Sequence, residues 1–96
     1  MLKNSSTMLE KTVLDIKNLA ADPFSGLKGA MDKTIEILDP KSPKVNTVFV
    51  LLRRYKRLKL ASIHRTETKN HYNIEENTLF SDFMDLLDLI EEYDLK

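Results

Sequence analysis

Apolar residues recur at spacings of three and four along nearly the whole chain, and no stretch alternates apolar with polar residues for long. Leu9, Val13, Ile16 and Ala20 show the pattern, because residues at these spacings share one face of an α-helix. A half-buried strand needs sustained period-two alternation, so the pattern argues against a β-sheet. With 96 residues, the chain has room for one core. The sequence therefore predicts an all-α fold, a compact bundle of three long helices plus one short helix.

Proline and capping residues indicate where the helices begin and end. Asp22-Pro23 ends the first helix, because proline lacks an amide donor and disfavours helical geometry in the residue before it. Ser42 suits the N-cap of the third helix, and Pro43 suits its first position. The predicted helices lie near residues 6–21, 30–39, 43–63 and 68–94. Residues 1–22 are expected to form an N-terminal helix packed on a domain of residues 23–96.

The third and fourth helices have the clearest apolar faces. On the third, the predicted buried residues are Val45, Val48, Phe49, Leu52 and Tyr55. On the fourth, apolar or aromatic residues recur every seven positions with others between them: Tyr72, Leu79, Phe83, Leu86, Ile90 and Tyr93. This heptad spacing predicts a long helix packed among several partners. Glu76 interrupts the seam, and we expect it at the edge of the core, with Arg53 or Lys56 as its partner.

The net charge is zero, but basic and acidic side chains are separated along the chain. Residues 45–70 carry seven basic side chains and one acidic, whereas residues 71–96 carry eight acidic and one basic. A basic helix with a tyrosine can follow the phosphates of a nucleic acid. Alternatively, its cations pair with the acidic fourth helix. The matched opposite charges favour internal pairing, since nucleic-acid-binding domains ordinarily carry a basic surplus.

No catalytic or metal-binding pattern is evident. The chain has no cysteine, and His64 and His71 do not have the close spacing of paired zinc ligands. The acidic stripe of the fourth helix comprises Asp82, Asp85, Asp88 and Glu92. Calcium requires a loop that surrounds it with about six to eight oxygens, which a helix face does not provide. We therefore expect that the protein is not an enzyme and uses no metal or cofactor.

No feature of the chain predicts secretion or membrane insertion. No apolar run approaches the ~20 residues that a membrane span needs. The N-terminus lacks the apolar block of a secretory signal. The expected location is the cytoplasm.

Two sequence blocks resemble a known family. The first is Leu51-Leu52-Arg53-Arg54-Tyr55-Lys56-Arg57-Leu58, and the second is Tyr72-Asn73-Ile74-Glu75-Glu76-Asn77. Together they are similar to bacterial effector-associated domains of the eleventh type, in which an Arg-aromatic-Asn-Arg-Leu block on one helix precedes a Tyr-Asn-x-Glu-x-Asn block on the next. Lys56 and Glu76 differ from that pattern, which usually has Asn and an apolar residue there. The resemblance spans about residues 26–88.

The resemblance implies a non-catalytic adaptor domain of bacterial immune or conflict systems. In such systems, copies of a domain on a sensor and on an effector recognise each other. The implied partner is therefore a related helical domain or a second copy of the chain. A membrane is not implied, and a nucleic acid bound by the basic third helix is the alternative.

The two blocks also predict a polar network between the third and fourth helices. Its expected members are Arg54, Arg57, Tyr72, Asn73, Glu75 and Asn77. Both blocks lie near the turn, so an antiparallel pairing is expected to bring Arg54 or Arg57 level with the second block. The acidic stripe would then lie beyond the reach of these arginines.

Charges of both signs are consequently expected to stay exposed at opposite ends of the bundle. The candidate interaction surface comprises Arg53, Lys56, Lys59, Asp82, Asp85, Asp88 and Glu92. Separated basic and acidic patches predict head-to-tail docking between copies or related domains.

Overall fold

Four α-helices make up most of the structure, which is a computed structural model. It describes residues 2–22, 24, 26–64 and 69–96, and the side chains of residues 8–22, 24, 26–60 and 75–96. The helices are α1 (Leu2–Ala21), α2 (Gly26–Ile37), α3 (Pro43–His64) and α4 (Lys69–Leu89), and a 3-10 turn follows at Glu92–Asp94. No strand is found in the described ranges, so the predicted all-α class is confirmed.

α2 begins four residues earlier than the sequence predicts. Gly26 has a φ of 60°, a left-handed conformation that glycine adopts at little cost. Its amide donates to the carbonyl of Asp22 at 2.8 Å, and the Asp22 side chain accepts from the amide of Phe24 at 3.0 Å. The turn after α1 is therefore short, and α2 starts at Gly26, whereas the sequence predicts a helix only from about residue 30.

α4 ends at Leu89 instead of continuing to residue 94 as predicted. Beyond Ile90 the chain turns back toward the loop between α2 and α3. There Leu38 and Leu95 form an isolated antiparallel bridge. The amide of Lys96 donates to the carbonyl of Ile37 at 3.0 Å. Tyr93 consequently leaves the predicted seam and is 80% exposed.

The core lies between helices that each pack on two neighbours. α1 and α3 both pack on α2 and on α4, so α1 and α3 occupy opposite corners of the bundle. The core combines residues of all four helices, including Ile16, Met31, Val48 and Phe83. Four predicted members of the α4 seam, Leu79, Phe83, Leu86 and Ile90, are buried as expected. Phe49 is not, because it lies on the outer side of α3 and is 44% exposed.

The bundle is elongated because its helices differ in length. α2 has 12 residues and α3 has 22, which correspond to about 18 Å and 33 Å at 1.5 Å per residue. The later part of α3 therefore extends past the end of α2. Leu58 is buried there, yet it does not belong to the common core.

Candidate interaction surface

The outer face of α3 carries a stripe of basic and apolar side chains. Its core side is formed by Val48, Leu51, Leu52 and Leu58. The opposite side presents what we name the basic stripe: Phe49, Val50, Arg53, Lys56, Arg57 and Leu60, all exposed. Its three apolar members are 44–57% exposed. The stripe follows from spacings of three and four, which place these residues on one face of the helix.

The cations of the basic stripe remain unpaired within the described part of the chain. Arg54, which faces α4, donates to Asp82 at 3.0 Å. Lys59 lies 3.7 Å from Glu76. Arg53, Lys56 and Arg57 have no ion pair with any described carboxylate. The basic residues of α3 therefore fall into two groups. Arg54 and Lys59 pair with carboxylates of α4, whereas the three cations of the basic stripe point outward.

The structure gives Arg54 a partner that differs from the predicted ones. Arg54 binds Asp82 and not the second block, and no described bond joins Arg57 to Glu75 or Asn77. Arg54 and Asp82 lie at similar distances along the chain from the segment between α3 and α4. Glu76 of the second block lies closer to that segment and pairs with Lys59. The prediction that the whole acidic stripe is out of reach was therefore wrong for Asp82.

Some members of the predicted network lie outside the described side chains. These are Tyr72 and Asn73, and the same holds for His64 and His71. Glu76 is half-buried at the edge of the core, as expected, but its partner is Lys59 instead of Arg53 or Lys56. Lys59 also lies 5.4 Å from the centre of the Tyr55 ring, so it contributes less to the outer surface than expected.

A second feature is an apolar groove of about 390 Å³ between α1 and α4. We name it the α1–α4 groove; it is lined by Leu9, Glu10, Val13, Leu14, Lys17, Leu87, Asp88 and Ile90. Lys17 donates to Asp88 across it at 2.6 Å. Leu14 on its rim is 56% exposed. The groove exists because α1 and α4 touch much less closely than α1 and α2 do.

Of the three charged residues that line the groove, two are acidic and one, Lys17, is basic. Glu10 lies on its α1 side and Asp88 on its α4 side. Asp85, one turn before Asp88, is exposed and has no ion pair among the described residues. Glu92 is also exposed, beyond the end of α4. Of the four residues of the acidic stripe, Asp82 and Asp88 are thus paired within the bundle, while Asp85 and Glu92 face outward.

One buried charge was not anticipated from the sequence. Asp94 is 2% exposed and accepts hydrogen bonds from Ser42 Oγ at 2.9 Å and the Glu91 amide at 2.8 Å. Lys44 Nζ lies 2.8 Å from Oδ2, the oxygen that also accepts the Glu91 amide, whereas Ser42 donates to Oδ1. Burial raises the pKa of Asp94, but the bonds from Lys44, the Glu91 amide and Ser42 outweigh burial and lower it. The same hydrogen bond to Asp94 raises the pKa of Lys44.

The polar groups around Asp94 are all hydrogen-bonded. All of the buried side-chain nitrogen and oxygen atoms in the described region have hydrogen-bond partners. Ser42 also accepts the Lys44 amide at 3.2 Å, which makes it the predicted N-cap of α3. No sequence signal marks Asp94, because its burial depends on the chain leaving the helix after Leu89.

The described residues contain no cluster suited to a metal ion and no helix suited to a membrane. Among the described side chains, no group of three or more possible metal ligands lies close enough together to hold an ion. None of the described helices is long and apolar enough to cross a bilayer. No protein-family model, no curated protein and no solved structure matches the chain.

Proposed function

We propose that the chain is a non-catalytic adaptor domain that binds a related helical domain in the cytoplasm. The two sequence blocks, which resemble the bacterial effector-associated domains, suggest that it couples a sensor to an effector in an immune or conflict system. The contact would be made between like domains.

The observation that best supports this proposal is the basic stripe. Exposed apolar side chains of the size of Phe49 and Leu60 are ordinary when they are scattered singly. Here they are interleaved with three cations that have no ion pair among the described residues, on one face of one helix. A surface of this kind, apolar residues within a charged rim, is typical of protein interfaces. The charges of such a surface contribute more to the orientation of the two partners and to their association rate than to their affinity.

The test is a binding experiment with the products of adjacent genes. The chain would be tagged and co-purified with each of them at low and high salt. We expect retention of a protein that carries a domain with the same two blocks, and weaker retention at high salt because exposed charges are screened over about 8–10 Å at physiological ionic strength. If none of these gene products binds, or if binding persists after that domain is removed, the proposed adaptor function is wrong.

The alternative is a regulatory domain that binds nucleic acid through α3. The specific observation in its favour is that Arg53, Lys56 and Arg57 face outward, where the sequence favoured their neutralisation by α4. Against it stands the zero net charge of the chain, because binding to phosphates is driven by a basic surplus.

Binding of a labelled oligonucleotide distinguishes the two functions. If the stripe binds nucleic acid, a labelled 30-nucleotide DNA or RNA will bind at about 50 mM salt, and each lost cation will lower the salt dependence. If the stripe binds protein, Arg53→Ala and Arg57→Ala will weaken co-purification and the oligonucleotides will remain unbound.

A further inference from the structure

We infer that the basic stripe of one copy docks into the α1–α4 groove of another, so that the chain assembles head-to-tail through two different faces. This inference rests on the proposed function and names its two surfaces. Each surface includes side chains that remain exposed in the bundle, and the two surfaces are chemically complementary. The occupant of the groove is therefore a second copy of this chain.

The complementarity is both apolar and electrostatic. The groove offers an apolar floor, formed by Leu9, Val13 and Leu87, and an exposed apolar rim at Leu14. The stripe offers the aromatic ring of Phe49 and the branched side chain of Val50, each about half exposed. An amphipathic helix laid in an apolar groove is a recurring mode of recognition.

The charges around the two surfaces are opposite in sign. Arg53, Lys56 and Arg57 flank the apolar residues of the stripe and have no ion pair with a described carboxylate. Glu10 lines the groove, and Asp85 lies on α4 one turn before Asp88, which also lines it; neither Glu10 nor Asp85 has a described ion pair. Each surface therefore repels a copy of itself and attracts the other surface. This pairing also explains how a chain of zero net charge keeps exposed charge of both signs.

The positions of the two surfaces determine the form of the assembly. α1 and α3 occupy opposite corners of the bundle, so the stripe and the groove point in different directions. A contact between two different faces leaves one free face at each end of a dimer, and a further copy can add there. Such a contact gives a ring or an open chain, in contrast to the closed dimer that a symmetric contact gives.

The experiment uses two variants, each of which disables one surface. The stripe variant combines Arg53→Glu and Arg57→Glu. The groove variant combines Leu14→Ser, Glu10→Gln and Asp85→Asn, and it is neutral so that it does not attract the reversed stripe. All five side chains are exposed, and circular dichroism checks that each variant is folded. The control Lys41→Glu with Lys96→Glu is matched to the stripe variant: it makes the same change in net charge, at two exposed lysines outside both surfaces.

Sedimentation velocity of the full chain is measured over a concentration series at about 50 mM and about 500 mM NaCl. We expect wild type and control to form species larger than dimers, and we expect association to weaken about tenfold or more at high salt. Each variant alone should be monomeric. Their equimolar mixture should form a 1:1 dimer and nothing larger, because only one intact stripe and one intact groove remain.

Three results would overturn the inference. They are a wild type that stays monomeric at every concentration, a variant that assembles like wild type, and a mixture that remains monomeric. Binding of a monomeric wild type to an oligonucleotide or to vesicles of anionic lipid would also overturn it and would assign the stripe to a polyanion. A wild type that stays monomeric but still retains a partner in the co-purification would disprove self-assembly and leave the adaptor function standing.

Discussion

Among the described residues, Asp94 is the one charged side chain that is buried. An unpaired carboxylate at such a position would be strongly destabilising. Asp94 avoids this cost because the Ser42 hydroxyl, the Glu91 amide and the Lys44 ammonium group donate to its two oxygens. Its own carbonyl accepts the Asp39 amide at 2.8 Å. A single residue thereby joins the end of the chain to the start of α3.

Replacing Asp94 by alanine is expected to lower the free energy of unfolding by about 2–3 kcal/mol. The substitution leaves the buried Ser42 hydroxyl and the partly buried Glu91 amide without their acceptor, and a buried donor left unpaired costs about 1–3 kcal/mol. Urea unfolding followed by circular dichroism measures the loss. The control is Asp32→Ala, which removes an exposed pair with Lys28 and should cost about 0.5 kcal/mol or less. Equal losses for the two variants would contradict the structural role of Asp94.

The pKa shifts of the same pair predict how stability depends on pH. The folded-state pKa of Asp94 is lowered, so its stabilisation is present above the unfolded value of about 3.9 and is lost as the pH falls through the folded value. The pKa of Lys44 is raised, so its contribution is present below about 10.4 and is lost as the pH rises through the folded value. Between these limits the pair is fully charged.

Unfolding measured from about pH 5 to pH 2 tests the acid limit. Wild type is expected to lose stability more steeply than Asp94→Asn below about pH 4, since the variant has no carboxylate to protonate at this position. Curves of equal slope would show that other carboxylates dominate acid unfolding.

At the scale of the helices, the sequence predicts best where the signal is local. The start of α3 is correct because Ser42 and Pro43 act on the adjacent backbone. The end of α4 was misjudged because the helical pattern continues through Tyr93, while bonds to the distant α2–α3 loop hold the chain in another conformation. The spacing of apolar residues depends only on nearby positions in the chain, so it contains no information on such long-range bonds.

The candidate site shows the same division. The sequence predicts that α3 is basic and which of its residues share a face. It does not predict which of the cations point outward, because that depends on the register of α3 against α4. Arg54 pairs with Asp82, which lies several residues further along α4 than the predicted partners. The α1–α4 groove was also missed, since it arises from the wide separation of two helices and not from any residue pattern.

The turn into α2 gives a prediction for one glycine. Gly26→Ala is expected to destabilise the chain by about 1–2 kcal/mol, because an L-residue with a side chain is strained at the left-handed φ of Gly26. The space around a Cβ atom there is open, so the cost should come from the backbone alone. Gly26→Asn is the control: asparagine tolerates this conformation better, and its thermal midpoint should lie between those of wild type and the alanine variant. An alanine variant as stable as wild type would contradict the turn.

At the scale of the whole molecule, the unequal lengths of α2 and α3 predict unequal protection within one helix. Val48 is fully buried in the common core, whereas Leu58 is buried outside it, where α3 extends past α2. Hydrogen exchange of the Leu58 amide should therefore be faster than that of Val48, since regions with fewer core contacts open more easily. Exchange followed by NMR measures both amides in the same sample. Equal protection would mean that the bundle opens only as a whole.

The bonds between the end of the chain and the α2–α3 loop bear on the order of events during synthesis. Domains emerge from the ribosome N-terminal end first, at about 5–20 residues per second. α1, α2 and α3 can therefore meet one another while residues 94–96 are still inside the exit tunnel. Until those residues emerge, Ser42 and the carbonyl of Ile37 lack the partners that the finished structure gives them. Residues 94–96 thus complete the contacts at this end of the bundle, and a ribosome stalled a few codons before Asp94 would hold a nascent chain in which Ser42 and Ile37 still lack these partners.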